Sequence, residues 1–376
     1  MSISAEALYK FWLNDKENQH IIQGLLQSYA QETSPHLALD FIEQLPAELC
    51  QQTWLICYKL QFQIQAGLSA DVVKNVNEKL AAAADIDAMQ LYLAMLAAHI
   101  LRDSEQALAF YQHIQEPIAE AVLLAARIHY LKTDRQIAAQ MLDQSEFMHL
   151  PAALGLRAMI ALDDEAEALA LSLANEALAK DPQQFDSLVV YACLANYQQR
   201  YGESAHFVNL ALSKMPEQGR LLSLKGQYLL QQGDVQGALP VLQHATRNMP
   251  EHTGTVLLVG WCHLLMGDYA QAKVQFEQAC EQDRSFADSH GSLAAALFYL
   301  GDLAGAKKAA LVAKRLDPSS FSAAYAEALL LEQAGENELA ASKIQQVYAT
   351  QHYNGQGTNW DVIQRAISEG KKPNAS

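Results

Sequence analysis

Long apolar runs, proline-rich stretches and an even set of cysteines are all missing from this 376-residue chain. The longest apolar runs, 91–101 and 256–266, each contain a histidine and fall well short of the roughly 20 residues that cross a bilayer. Only 10 prolines and 18 glycines occur, and no stretch alternates β-branched and polar residues between turn pairs. Strands are not expected, and helix is favoured throughout. The cysteines, Cys50, Cys57, Cys193, Cys262 and Cys280, are odd in number and sit in apolar stretches. Free thiols in a reducing compartment fit that usage better than a disulfide framework. The opening residues, MSISAEALYKFWLNDKEN, show no basic start followed by an apolar run and a small-residue cleavage site. A cytoplasmic protein without membrane insertion is expected.

Positive charge is also short. Twenty-six Lys and Arg stand against 42 Asp and Glu, a formal charge of −16, which disfavours nucleic acid or an anionic membrane as the main partner. The cluster Lys307, Lys308, Lys314 and Arg315 lacks the aromatic interleaving of a single-strand binder and reads as a solvated helix face. Catalytic signatures are missing too: no glycine-rich phosphate loop, HExxH, paired CxxC or Gly-x-Ser-x-Gly occurs. Cys50 and Cys57 supply two thiols where structural zinc takes four ligands, so core packing is expected there. His263 reads as a hydrogen-bonded core histidine, and the run Asp163-Asp164-Glu165 as a solvated turn. No catalytic residue, metal or cofactor is expected.

What the chain does contain is a repeat. Pro182, Pro216 and Pro250 recur every 34 residues, Pro318 follows two steps on, and Arg284 holds the slot between. Small residues form three ladders with the same step: Ala158, Ala192, Gly226, Gly260, Ala294, Ala328; then Ala170, Ser204, Ala238, Ala272, Ala306, Ala340; then Ala177, Ala211, Ala245, Ala279, Ala313 and Val347. Gly233-Asp234, Gly267-Asp268, Gly301-Asp302 and Gly335-Glu336 mark a turn inside each unit. Two helices per unit approach closely where both are small. The glycine ends the first helix, and the acidic residue caps the second. No unit buries its apolar side alone, so the units must stack.

The organisation predicted is an irregular helical part over 1–87, two weaker helix pairs over 88–150, regular units over 151–354, and a last segment over 355–376. In the first part, helices are expected over 4–13 (apolar side Leu8, Phe11 and Trp12), 18–31, 34–45 (Ser34 as cap, Pro35 first), 48–66 and 70–83. Pro240 falls inside a predicted helix, which should start after Gly237 or bend there. In the last segment Trp360, Ile363 and Ile367 share one helical side, as a cap on the final unit or a detachable mimic of a partner.

These residues resemble the tetratricopeptide repeat family. The stretch 253–286 carries the pattern in Gly260, Gly267, Tyr269, Ala272, Phe276 and Ala279, with Arg284 in place of the final proline. The likeness is close over 151–347 and fair over 88–150. It implies an all-α fold, a right-handed α-α superhelical solenoid of helix pairs whose first helices line a concave groove for a peptide or a partner's helix. Carried over slot by slot, the groove residues are Tyr92, Leu96 and His99; Leu123, Arg127 and Tyr130; Val189, Cys193, Asn196 and Tyr197; Arg220, Ser223 and Gln227; Leu257, Trp261 and Leu264; Asp288, Ala295, Phe298 and Tyr299; Tyr325 and Leu329. Members that grip acidic termini of heat-shock chaperones carry a Lys, Asn and Arg clamp; the slots here hold Leu, Gly, Val, Cys, Ser and Asp. The apolar, tyrosine-rich lining is more similar to bacterial secretion or assembly chaperones. A non-enzymatic scaffold or chaperone-like adaptor for a protein or peptide client is therefore expected. A peptide-sensing regulator of a kinase or transcription factor, and a self-associating scaffold such as a homodimer, stay open beside it.

Overall fold

The computed structural model describes residues 5–348, and the expected capping segment 355–376 lies outside them. Among the described residues every regular element is a helix. The chain forms two compact units, divided between Asp164 and Glu165.

The first unit contains α1 (Ala5–Asn14), α2 (Gln19–Gln31), α3 (Pro35–Glu43), α4 (Ala47–Cys50), α5 (Thr53–Gln65), α6 (Ser69–Ala81), α7 (Ala88–Ile100), α8 (Ser104–Gln112), α9 (Ala119–Leu131), α10 (Arg135–Asp143), a 3-10 turn at Glu146–His149, and α11 (Pro151–Asp163). Its first core is aromatic. Trp12 is buried edge-on to Phe41 with ring centroids 4.9 Å apart, and its Nε1 donates to the Lys16 carbonyl at 3.2 Å. Leu8 packs on this core, but Phe11, expected beside it, is 57% exposed. Residues four apart share a helix face and adjacent ones do not, so Trp12 takes the buried stripe with Leu8. The helix expected over 48–66 is two helices, broken at Gln51 and Gln52. Gln52 Oε1 accepts from Trp54 Nε1 at 2.5 Å and from Gln19 Nε2 at 3.2 Å, which holds the break in place. Ser34 stands at the start of α3 with Pro35 first, but its hydroxyl donates to the Glu32 carbonyl instead of capping the helix.

The second unit runs through α12 (Glu167–Lys180), α13 (Phe185–Tyr197), α14 (Tyr201–Leu212), α15 (Gly219–Gln231), α16 (Val235–Asn248), α17 (Thr253–Leu265), α18 (Tyr269–Gln282), α19 (Ala287–Tyr299), α20 (Leu303–Leu316), α21 (Phe321–Gln333) and α22 (Asn337–Tyr348). Its small-residue ladders are shut. Ala170, Ala238, Ala272, Ala306 and Ala340 are each 0% exposed, and so are Ala177, Ala211, Ala245, Ala279 and Ala313. Ser204 holds one rung without stranding a polar atom, because its hydroxyl donates to the Ala192 carbonyl at 2.8 Å. Asp234, Asp268 and Asp302 cap the second helices by accepting from Gly237, Gln271 and Gly305 N–H, as expected. Pro240 departs from expectation. Helix α16 starts at Val235 and runs unbroken past it. Pro240 and Gln236 are both exposed, so the carbonyl that loses its N–H partner stays on the solvent side. Lys314, expected as a solvated cation, pairs with Glu327 at 2.7 Å.

The turn after each first helix needs a left-handed residue, which glycine enters without steric penalty. Gly233, Gly267, Gly301 and Gly335 sit there with φ of 79 to 85°. The same place, at the same 34-residue step, is held by Glu165 (φ 59°) and Gln199 (φ 58°). A side chain in this region costs about 1–2 kcal/mol. Gln199→Gly is therefore expected to stabilise the second unit by about 1 kcal/mol and Gly267→Ala to destabilise it by a similar amount, read as opposite shifts of the urea midpoint.

Candidate functional site

In the first unit the first-helix residues named from the sequence sit among charged and polar groups. Tyr92 and His99 on α7 and Arg127 and Tyr130 on α9 are all half-buried. Burial, then the Arg127 charge, lowers the His99 imidazole below its ordinary value and so favours its neutral form. Burial, then Glu120 at the start of α9, raises the Tyr92 phenol. The Tyr130 hydroxyl donates to Asp163 Oδ2 at 2.6 Å, and Arg135 pairs with Asp164 at 2.8 Å. Two members of the acidic run expected to be solvated are thus partnered. A cleft of about 720 Å³, lined in part by Tyr111, Val122, His129 and Phe147, opens beside α8 and α10. Sequence reasoning missed it, because the 113–118 connection and the 3-10 turn that shape it follow no repeat.

In the second unit the named residues divide into three groups. Tyr197 at the end of α13 is 63% exposed, with Asn196 half-buried beside it, whereas Val189 and Cys193 on the same helix are core. Arg220 and Gln227 on α15 are half-buried. Ser223 is buried in a hydrogen-bonded run with Thr255 at 3.0 Å and, beyond it, His252 at 2.7 Å. Burial and then Arg220 lower the His252 imidazole, as Arg127 does for His99 in the first unit.

The third group is an aromatic cluster on α17, α19 and α21. Trp261 packs on Phe276 at 5.9 Å, then reaches past α19 to Tyr325 at 5.9 Å and Phe321 at 6.3 Å. On α19, the small residue Ala295 is buried in the same cluster, and Gly291 lies against the backbone of α21 at Ser322 and Ala323. Tyr299 stacks on Tyr269 with centroids 4.7 Å apart, and its hydroxyl pairs with that of Tyr325 at 2.9 Å. Trp261, Phe298, Tyr299 and Phe321 remain half-buried. Tyr325, predicted to touch a partner, is instead core at 2% exposure, sealed by those rings. Leu257, Leu264, Ala295 and Leu329 are buried with it. Asp288 is also structural: its Oδ1 accepts from Ser320 Oγ at 2.5 Å and from Ser322 N–H at 3.3 Å, and so fixes the start of α21.

A further ladder was legible in the chain but not picked out. Gln184, Gln218, His252 and Ser320, again on the 34-residue step, each accept a backbone N–H three residues on and cap a first helix. Polar residues recurring just after each proline are its signal. Cys280 Sγ lies 3.6 Å from His290 Nδ1, and His290 Nε2 lies 3.0 Å from the Arg284 carbonyl. Burial and then Glu277 and Glu281 push the Cys280 thiol up to about 11, away from the thiolate a nucleophile needs. His263 is half-buried, with Nδ1 3.6 Å from Asp268 Oδ2. Among the described residues no group of three or more His, Cys, Asp or Glu could hold a metal ion, and no helix is long and apolar enough to cross a membrane.

Helix pairs on a constant 34-residue step, closed on alanine rungs, define an all-α helical-repeat protein. The signature of the tetratricopeptide repeat matches residues 229–284 of the chain. Among curated proteins none matches the chain. Among solved structures it is similar to YrrB, described as a TPR protein with an unusual peptide-binding site, at 22% identity, covering 46% of this chain and 90% of that one, with a TM-score of 0.38. It is also similar to Pseudomonas aeruginosa pilF, at 18% identity over 58% of this chain and 97% of that one, with a TM-score of 0.42. A third similar structure is the APC/C hetero-tetramer Cut9-Hcn1, at 11% identity over 98% and 86%, with a TM-score of 0.46.

Proposed function

We propose that this chain is a non-enzymatic interaction scaffold that holds an apolar segment of a client protein along the first-helix face of its second unit. The observation that carries the reading is the row of incompletely buried aromatics on that face, from Tyr197 at 63% exposure to Trp261, Phe298 and Tyr299. Rigid aromatic side chains give large contact area at small entropy cost. Their backbone is already fixed by the alanine rungs, so the scaffold loses little freedom on binding. A setting in secretion or surface-structure assembly follows from the likeness of this lining to chaperones of those pathways.

Tyr197 separates binding from stability. Tyr197→Ala in the full chain is expected to leave the melting temperature unchanged, because the ring is mostly in solvent. The same variant should weaken capture of the native-cell client about tenfold, which corresponds to about 1.4 kcal/mol. Client recovery by pull-down with mass spectrometry, followed by titration of the recovered protein, measures it. Equal affinity for both forms would remove the first-helix face from the function.

A further inference from the structure

We propose that the outward face of α20 docks an acidic amphipathic helix of a partner protein. In a chain of formal charge −16, α20 holds Lys307, Lys308, Lys314 and Arg315 and no Asp or Glu. Its buried residues are Ala306, Ala309, Ala310 and Ala313. Its leucines are all turned outward, Leu303 at 37%, Leu311 at 49% and Leu316 at 42% exposure. The helix closes its own repeat with alanine and leaves its large apolar side chains on the surface.

These outward residues form one pattern. Helical spacing places Leu303, Lys307, Lys308, Leu311, Lys314 and Arg315 on a single side, opposite the buried alanines. Leu311 is its centre, with Lys307 and Lys314 on one flank and Lys308 and Arg315 on the other. Lys307, Lys308 and Arg315 form no ion pair with the described residues. Lys314 and Lys343 share Glu327, at 2.7 and 2.6 Å, so two ammonium groups stand against one carboxylate. Positive charge is in excess along the whole strip.

Charge complementarity calls for an anionic occupant, and the width of the strip selects which. The 34-residue step gives the matching slots on the neighbouring second helices. On α18, which packs on α19 as α20 does, Glu277 and Glu281 stand where α20 has Leu311 and Arg315. On α22, which shares α21 with α20, Ser342 and Gln345 stand where α20 has Lys308 and Leu311. The cationic strip is therefore one helix wide. A flat anionic membrane would meet the α18 carboxylates together with it. A nucleic acid would find no aromatic ring on α20 to stack on. A helix whose apolar stripe is flanked by Asp or Glu fits both features. Its stripe covers Leu303 and Leu311 and its carboxylates meet the flanking cations, as charges beside an apolar seam select partners in paired helices. With 14 residues, α20 is about 21 Å long, so about four turns of a partner helix cover it.

The probe is a fluorescent synthetic helix of about 16 residues, with leucines at spacings of three and four flanked by Glu, titrated into the full chain by anisotropy. Binding is expected, and it should weaken as salt is raised. Lys307→Gln, Lys308→Gln and Arg315→Gln together should weaken it at least about tenfold. Leu311→Ala alone should weaken it severalfold. All four side chains are exposed, so circular dichroism and the urea midpoint should not move. A second probe with Gln for every Glu should bind the unaltered chain at least about tenfold more weakly. No binding, equal affinity for the two probes, or an affinity unchanged in the triple variant overturns the proposal. So does tighter binding of phosphatidylserine vesicles or single-stranded RNA that the triple variant abolishes, which would give the strip to a lipid or a nucleic acid. Tyr197→Ala should leave the probe affinity unchanged, so this surface and the first-helix reading fail separately.

Discussion

Replacing Trp261 by alanine is expected to destabilise the second unit by about 3 kcal/mol, at the lower end of the range for large aromatic truncations because the ring is only half-buried. The loss comes from three ring contacts, to Phe276, Phe321 and Tyr325 at 5.9, 6.3 and 5.9 Å. Aromatic pairs contribute about 0.5–1.5 kcal/mol each beyond their buried area. Two of the three contacts skip a helix pair, so the indole joins units that otherwise meet only through their neighbours. Its removal should therefore lower cooperativity as well as stability. Urea unfolding followed by far-UV circular dichroism should show a lower midpoint and a broader transition. Trp261→Phe, which keeps a ring in the same space, should recover more than half of the loss. A midpoint shift below about 1 kcal/mol would mean that the indole faces solvent and does not join α17 to α21.

The helix pairs were legible from the sequence because their spacing is a packing constraint. Alanine at 34-residue intervals has one economical explanation, the close crossing of two helices, and 0% exposure of those rungs is its direct consequence. The face was less legible because the slots were taken one helix at a time. Whether Tyr325 meets a partner depends on Trp261, two first helices away, and on the small Ala295 in the same cluster. No single repeat contains that information. Asp288 misled in a related way: its slot points toward a ligand in the family pattern, but here the next helix starts within its reach and takes the carboxylate. In the first part of the chain, the break at Gln52 depends on a hydrogen bond from Gln19, distant in sequence and outside any periodic signal.

Gly291→Ala should cost about 2 kcal/mol, more than the same change at Gly226. Both glycines are buried in helices, and in both places alanine is the better helix former by about 1 kcal/mol. The difference lies in what the new methyl meets. At Gly226 it meets the buried side chain of Leu242, at Cγ as well as a methyl group, and that side chain must shift to admit it. At Gly291 it meets backbone: the Ser322 carbonyl carbon and, at 2.5 Å, the Ala323 nitrogen. Helix α21 would have to retreat as a whole, since its backbone cannot change rotamer. Overpacking of this kind typically costs about 1–3 kcal/mol, enough to exceed the gain in propensity. The retreat would also pull Tyr325 from Trp261 and stretch the 3.2 Å hydrogen bond between Ser292 and Ser322. Gly291→Ala should therefore alter tryptophan emission as well as the urea midpoint, and Gly226→Ala should shift the midpoint less and leave the emission unchanged. Gly291→Val should exceed the alanine effect and disrupt the α19–α21 contact outright. If the two alanine variants unfold at the same midpoint, α19 and α21 do not touch backbone to backbone, and the bridge made by Trp261 loses its geometric basis.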